Sequence, residues 1–303
     1  MFFLRGIAPL LGIVFLNAWL SGPAAGQAVS SSQPSGTPSA PTDSISRHGG
    51  FTATLSYGNN SSFFGRTQTT RLPYAAGELT YKSRVGVWGS VMSYNLFDTS
   101  SFIDETDVSV GWDGDLSKKV DASVSYSRFL FAENSPLVKS SINNSLDGYV
   151  GLDWGYVYSR LNASYLFGET NDFFLVLDQS RYFEIDKVLT PKGYLSIQPR
   201  VSVTAGTQRF AETSIEQQQV RGNQSRPVPG RGPAGTGTSP TTTTTTTTTQ
   251  FRVLNYELRV PVTYSLGIWS VQAAWRYALP VNLLPDDVST ARSYFTTSLS
   301  LNL

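Results

Sequence analysis

The chain has no cysteine and a single histidine, His48, among its 303 residues. Without cysteine there is no disulfide framework, no thiolate metal site and no lipidated cysteine to anchor a bacterial lipoprotein. One histidine gives a Ser-His hydrolase or a His-based protease a single candidate base. His48 stands in the polar approach to the first strand, away from any serine on an outer rim, and reads as a solvated linker residue. An all-oxygen calcium site has no diagnostic loop motif here, so no metal and no cofactor are expected. Excess charge of one sign is missing too. The 23 Lys+Arg and 22 Asp+Glu leave a net of +1, which argues against a nucleic-acid partner. Beyond the first twenty residues there is no long apolar run, which excludes a helical membrane protein.

What is present begins with an N-terminus of the export type. Met1–Arg5 carries one positive charge, Gly6–Leu20 is apolar, and the small residues Ala24, Ala25 and Gly26 precede Gln27. That order is a secretory signal peptide over 1–26, with cleavage expected near Gly26/Gln27. A transmembrane anchor is the alternative, but the run is shorter than the roughly 20 residues a helical span needs. Pro9 and Asn17 also interrupt it. Residues 27–49 are rich in Ser, Pro, Gly and Thr. Such a stretch buries too little apolar surface to offset its ordering entropy and is expected as a disordered periplasmic leader.

From residue 50 to 303 the chain alternates. In the terminal run Ser293–Leu303, Phe295, Leu299, Leu301 and Leu303 share one side of an extended strand, and Tyr294, Thr296, Ser298, Ser300 and Asn302 share the other. The same period of two recurs in Phe51–Tyr57, Tyr74–Lys82, Phe102–Trp112, Val120–Phe131, Leu146–Trp154, Leu161–Phe167, Leu195–Ala205, Leu254–Tyr264 and Val271–Leu279. Two runs leave their orientation open. In Val85–Tyr94 the valines compete with Trp88, Met92 and Tyr94 for the outside, and Phe173–Asp178 is apolar on both faces. Pro199 interrupts one strand and is expected at a bulge or rim, because it cannot donate a ladder hydrogen bond.

Connections alternate in length. Lys82–Arg84, Asp113–Lys119, Gly155–Tyr156 and Ser265–Ile268 are short, whereas Gly58–Pro73, Ala132–Asn144, Gln208–Gln250 and Pro280–Thr290 are long. Gly168–Asp172 and Arg181–Lys192 break the alternation. The expected fold is all-β: a transmembrane antiparallel up-and-down β-barrel of about twelve strands, with a range of ten to fourteen and a short helix at Arg181–Lys192 as an alternative. A soluble sandwich also alternates, but its turns come every 8–12 residues and its strands are shorter. Aromatics recur here near strand ends, among them Tyr57, Tyr81, Trp112, Trp154, Trp269 and Tyr277, as in two interfacial girdles.

Signal, alternating strands and terminal strand together resemble the superfamily of Gram-negative outer-membrane β-barrel proteins, porin-like in type. Leu303 stands where that family most often ends in an aromatic residue. The resemblance implies an integral protein of the bacterial outer membrane. Its partners would be the lipid bilayer with lipopolysaccharide, the barrel-assembly machinery and periplasmic chaperones. It carries over no functional residue.

The candidate site is the lumen. On this register Glu78, Asp107, Asp121, Asp147, Asp153, Arg160, Arg200, Glu257, Arg259 and Arg276 project inward. Inward charges either line a wet path and set its selectivity, or pair and plug the interior, and twelve strands lie between filled and porin-sized barrels. Asp98, Asp104, Glu105 and Asp107 cluster near an outer rim and read as a solvated loop. The low-complexity stretch 211–250 contains nine consecutive threonines, Thr241 to Thr249, and reads as a flexible outer loop. A Thr/Pro tract of this kind is also a candidate for O-glycosylation. The expected function is a passive, non-enzymatic channel for small polar solutes or ions. The alternative is a non-conducting barrel displaying the threonine-rich loop.

Overall fold

The computed structural model describes residues 49–62, 64–65, 71–97, 101–132, 142–168, 171–217, 241–283, 287 and 289–303. The signal peptide, residues 27–48 with His48, Asp98 and the stretch 218–240 lie outside the described residues. Fourteen strand segments are present: β1 (Gly50–Gly58), β2 (Tyr74–Lys82), β3 (Val87–Leu96), β4 (Glu105–Ser117), β5 (Val120–Phe131), β6 (Ile142–Asp153), β7 (Tyr158–Gly168), β8 (Asn171–Ser180), β9 (Phe183–Asp186), β10 (Gly193–Ile197), β11 (Arg200–Gln217), β12 (Thr241–Leu266), β13 (Trp269–Pro280) and β14 (Arg292–Asn302). All pairings are antiparallel: β1 through β8 and β11 through β14 pair in sequence order, β8 also pairs with β11, β10 pairs with β9 and β12, and β1 pairs with β14, from Thr52↔Asn302 to Gly58↔Thr296. That pairing closes the sheet into a barrel with no free edge along its wall.

The barrel has twelve staves, because two of them are each split into two segments. β8 with β9 forms one stave, and β10 with β11 forms the next. Two prolines explain the break. Gln198 donates to the Pro261 carbonyl at 3.2 Å, but Pro261 has no N–H to return the bond. One residue on, Arg181 donates to the Pro199 carbonyl at 3.2 Å, and Pro199 has no N–H to return that one. Pro199 is therefore neither at the rim nor in a recorded bulge. It and Pro261 interrupt the ladder from opposite sides of one stave.

The connections at one end are tight. Gly86, Gly155 and Gly267 have φ of 85°, 86° and 60°, the left-handed conformations that tight turns need and glycine adopts freely. Residues 118–119 alone join β4 to β5, so the expected turn Asp113–Lys119 is mostly strand: Asp113 pairs with Ser123 and Asp115 with Asp121. Arg181–Lys192 holds no helix; Phe183–Asp186 is strand and residues 187–192 make the turn. At the opposite end the connections are long, except that only two residues separate β7 from β8. The expected loop at 211–250 is partly strand, since Gln208↔Gln250 through Gln217↔Thr241 continue the β11–β12 ladder.

The outward faces are apolar. Leu55, Leu79, Val110, Val150, Leu161, Val201, Val271 and Leu299 are all exposed, Leu55 to 67% of its surface. Water would not tolerate so continuous a belt, whereas hydrocarbon is its natural solvent. Ring pairs mark both ends of it: Phe51–Tyr81 at 4.9 Å near the tight turns, and Tyr57–Phe97 at 5.9 Å and Phe173–Phe251 at 6.1 Å near the long loops. The two undecided strands settle by the same test. Val87 and Val91 face out while Trp88 and Met92 line an interior cavity, and Phe173 and Leu177 face out while Phe174 and Asp178 are buried.

Candidate functional site

The residues that alternate with the apolar belt face the interior, and their charges are not scattered. β2 to β7 carry the acids. Glu78 and Asp107 flank Met92 on one cross-strand row, Glu78↔Met92 and Met92↔Asp107. Asp147 stands on the row through Ser125. These three line a cavity of about 180 Å³ together with six serines, Trp88 and Tyr149. Trp88 can lie across the interior because residue 111 is glycine; a Cβ there would come within 2.6 Å of the indole. Ser145 donates to Asp147 Oδ2 at 2.5 Å and Thr80 to Glu78 Oε1 at 3.2 Å, but Asp107 Oδ1 and Asp147 Oδ1 are buried with no protein partner.

The opposite arc carries the bases. Arg200↔Arg259 and Arg259↔Arg276 are direct cross-strand partners, so three guanidinium groups stand side by side on β11, β12 and β13. Like charges placed opposite each other repel. Two carboxylates relieve the row only in part. Glu257 Oε2 is 3.8 Å from Arg276 Nε, and Asp178 Oδ2 is 3.9 Å from Arg200 Nη1. Both separations exceed the 2.7–2.9 Å of a charge-assisted hydrogen bond. Asp178 is committed elsewhere: it accepts from Arg160 at 3.2 Å, Asn162 at 3.0 Å and Ser202 at 2.6 Å. The Arg259 guanidinium has no hydrogen-bonding or ion-pair partner among the described residues. Arg276 stacks on Tyr294 at 4.6 Å and donates to Ser62 at 3.0 Å.

Ser62 belongs to the connection between β1 and β2, which folds inward over the mouth. Phe64 and Gly65, with φ of 45° and 85°, make a tight reversal there. Phe64 stacks on Phe174 with ring centroids 3.9 Å apart, and Ile142, Leu166 and Leu254 complete a buried apolar cluster. Leu254 was expected to face out with Tyr256 and Leu258. A bulge reverses it: Thr204 pairs with Asn255 and Ala205 with Val253, leaving Leu254 as the extra residue.

The ten expected inward charges sort into four groups. Glu78, Asp107, Asp147 and Arg160 line the cavity. Arg200, Glu257, Arg259 and Arg276 form the opposing arc. Asp121 accepts from the Tyr158 hydroxyl at 2.8 Å beneath them, in space that a side chain at Gly151 would fill. Asp153 is exposed at the tight-turn end, where it accepts from the Gly155 N–H at 2.7 Å. Asp104, Glu105 and Asp107 are not a solvated loop. All three are buried, and Asp104 accepts from the Leu96 N–H at 2.7 Å, stitching β3 to the start of β4. Sequence reasoning missed Asp178, whose strand had no readable orientation, and Ser62 and Phe64, which no period marks. The pairing of Arg160 with an acid on the next strand was the one signal available for Asp178. Among the described residues no group of three His, Asp or Glu side chains is placed to hold a metal ion.

No family model matches the chain, and no curated protein matches it. Among solved structures, the KdgM porin aligns over 82% of this chain and 98% of its own, with 8% identity and a TM-score of 0.45. The NanC porin aligns over 84% and 100%, with 9% identity and a TM-score of 0.43. LpxR from Salmonella typhimurium aligns over 82% and 99%, with 11% identity and a TM-score of 0.42. The first two are titled porins. The architecture of this chain rests on its own strand pairing.

Proposed function

We propose that this chain is an outer-membrane, porin-like barrel that passes small polar solutes or ions by diffusion. One observation carries the reading: the interior holds a cavity of about 180 Å³ lined by Glu78, Asp107, Asp147 and six serines, and a row of three arginines stands on the opposite arc of the barrel, outside that cavity. A filled structural barrel has no use for such a division. Opposed arcs of charge set up a field across the bore that orients a dipolar solute and biases ion choice. The reading is non-catalytic. The lipid surroundings, lipopolysaccharide contact, chaperone-assisted delivery and cleavage near Gly26/Gln27 belong to the same proposal, and N-terminal mass spectrometry of the membrane-inserted protein tests the cleavage.

Refolded protein in a planar bilayer is expected to give discrete, stepwise conductance. A folded, heat-modifiable sample that stays silent overturns the channel. A display role is the second reading, and a specific feature favours it. β11 pairs with β8 only from Arg200 to Gly206, and β12 pairs with β13 only from Asn255. Gln208–Gln217 and Thr241–Gln250 therefore form a two-stranded ribbon beyond the wall, paired only with each other. Silence in the bilayer together with surface accessibility of the ribbon supports this role.

A further inference from the structure

We infer that Arg181 and Gln179 form a docking site on the outer wall of the barrel for one phospholipid of the inner leaflet. The guanidinium takes the lipid phosphodiester and the amide an ester carbonyl. The inference rests on the reading of the chain as an outer-membrane barrel whose tight turns face the periplasm, and requires nothing about conduction.

Strand parity singles Arg181 out. Of the charged side chains described along the twelve staves, all but two alternate with the apolar belt; the exceptions are Arg128 and Arg181. Arg128 stands opposite Val108, and its Nη1 donates to the side-chain oxygens of Asn143 and Asn144 at 3.3 and 2.9 Å. Arg181 has no such support. It follows Leu177 and Gln179 on the exposed face of its stave and precedes Phe183. Its guanidinium has no ion-pair or hydrogen-bond partner among the described residues. Two rings flank it, Phe183 at 5.1 Å and Tyr156 at 6.0 Å to the centroids. Such rings gather at headgroup depth, and a cation on a lipid-facing wall is costly until an anion meets it. The anion at that depth is phosphate, which the planar guanidinium fork binds through two parallel hydrogen bonds.

An independent observation gives the ligand its length. Two residues further into the wall, Trp154 Nε1 donates to Ser159 Oγ at 2.9 Å, and Ser159 donates to Gln179 Oε1 at 2.9 Å. An indole can only donate, so Ser159 accepts from it and passes its own proton on. This relay fixes the Gln179 amide with its oxygen used and its NH₂ without a partner among the described residues. Amide donors beside hydrocarbon call for an acceptor there. Beyond Gln179, toward the bilayer centre, the exposed face continues with Leu177, Leu161 and Val201. From the turn inward the wall therefore offers a cation, then an amide donor, then bare hydrocarbon. A phospholipid presents the matching order of phosphate, ester carbonyl and acyl chain. Free phosphate would satisfy the first alone.

Native mass spectrometry of the full barrel, folded in octyl glucoside and titrated with phosphatidylglycerol, tests the site. One lipid is expected to be retained ahead of the rest. Arg181→Gln should lower that first association constant about five-fold, the effect of one basic residue near a lipid surface. Lys82→Gln, at the same end but on the other parity, should leave it unchanged. Gln179→Leu should weaken binding of the ester lipid and spare its diether analogue, which has no carbonyl to offer. Equal first binding by wild type and Arg181→Gln, both heat-modifiable, overturns the inference. Wild type alone supplies a second way to lose it: displacement of the lipid by an equal concentration of glycerophosphate would mark a site for a soluble anion. Failure of the wild type to insert into phospholipid vesicles is a different result, which removes the membrane reading and the inference with it.

Discussion

The two arcs of the interior contain the same kinds of residue and are satisfied in opposite ways. On the arginine arc, Asp178 collects two guanidinium groups, an amide and a hydroxyl, so the carboxylate is fully used. On the acid arc, Asp107 and Asp147 each keep an oxygen with no protein partner. A buried carboxylate surrounded by donors is part of the wall. One that lacks them carries an unmet hydrogen-bonding demand. The difference separates carboxylates knitted into the wall from carboxylates enclosed beside it, although sequence alternation places both inside.

Matched substitutions should break or sustain that contrast, and the largest effect belongs to Asp178. Asp178→Asn leaves Arg160 and Arg200 without their shared anion in a half-enclosed setting, and the loss should approach the roughly 3–5 kcal/mol typical of breaking a buried pair. Asp107→Asn, by contrast, removes a charge that repels its neighbours and should leave stability unchanged or slightly raised. Urea unfolding of both variants in the same lipid or detergent, followed by heat-modifiable mobility, makes the comparison. Equal destabilisation by the two would erase the distinction between the arcs.

How much of this was readable beforehand follows from what a period of two can say. It reports which face a residue occupies and nothing about which neighbour it meets. Strand existence, the belt Leu55–Leu79–Val110–Leu161 and the terminal strand all follow from parity, whereas Asp153, expected inside with the other charges, lies exposed at the tight-turn end. The break at Gln198 was half visible. Pro199 was noticed, but its effect needs Pro261 on the adjacent strand, and only register brings the two together. Leu254 was misread for a related reason: a bulge inserts one residue and inverts parity beyond it. The Phe64 reversal has no periodic signature, because it is made by two consecutive left-handed residues and held by a ring on another strand. The row Arg200–Arg259–Arg276 was read as three inward arginines but not as one row, since their alignment is set by pairing over 76 residues of chain.

That row yields the second, smaller prediction. Arg259 is flanked by two arginines and paired with neither carboxylate. Arg259→Gln should stabilise the barrel slightly, by up to about 1 kcal/mol, because a like-charge cross-strand contact is relieved on both sides. It should also move ion preference toward cations, by about five-fold in permeability ratio if one charge near the path is worth ~1 kcal/mol in water-like surroundings. Reversal potentials in a salt gradient read the second effect. An unchanged reversal potential would place Arg259 outside the conducting path and leave the arginine arc with a structural role only.

The smallest effect is expected where the same chemistry meets water. Lys82 and Asp113 form an ion pair at the tight-turn end, and the Lys82 side chain is 53% exposed. Its partner is closer than either carboxylate on the arginine arc, so a count of contacts would rank it first. Solvent reverses that order. Water screens the attraction, and holding a long lysine in one rotamer costs entropy, so exposed pairs are worth ~0.5 kcal/mol or less. Lys82→Gln should therefore change the unfolding midpoint barely or not at all, and raising the salt should leave wild type and variant indistinguishable. A loss comparable to that of Asp178→Asn would mean that this end of the barrel is as sheltered as its middle, and that proximity, more than enclosure, sets the strength of its ion pairs.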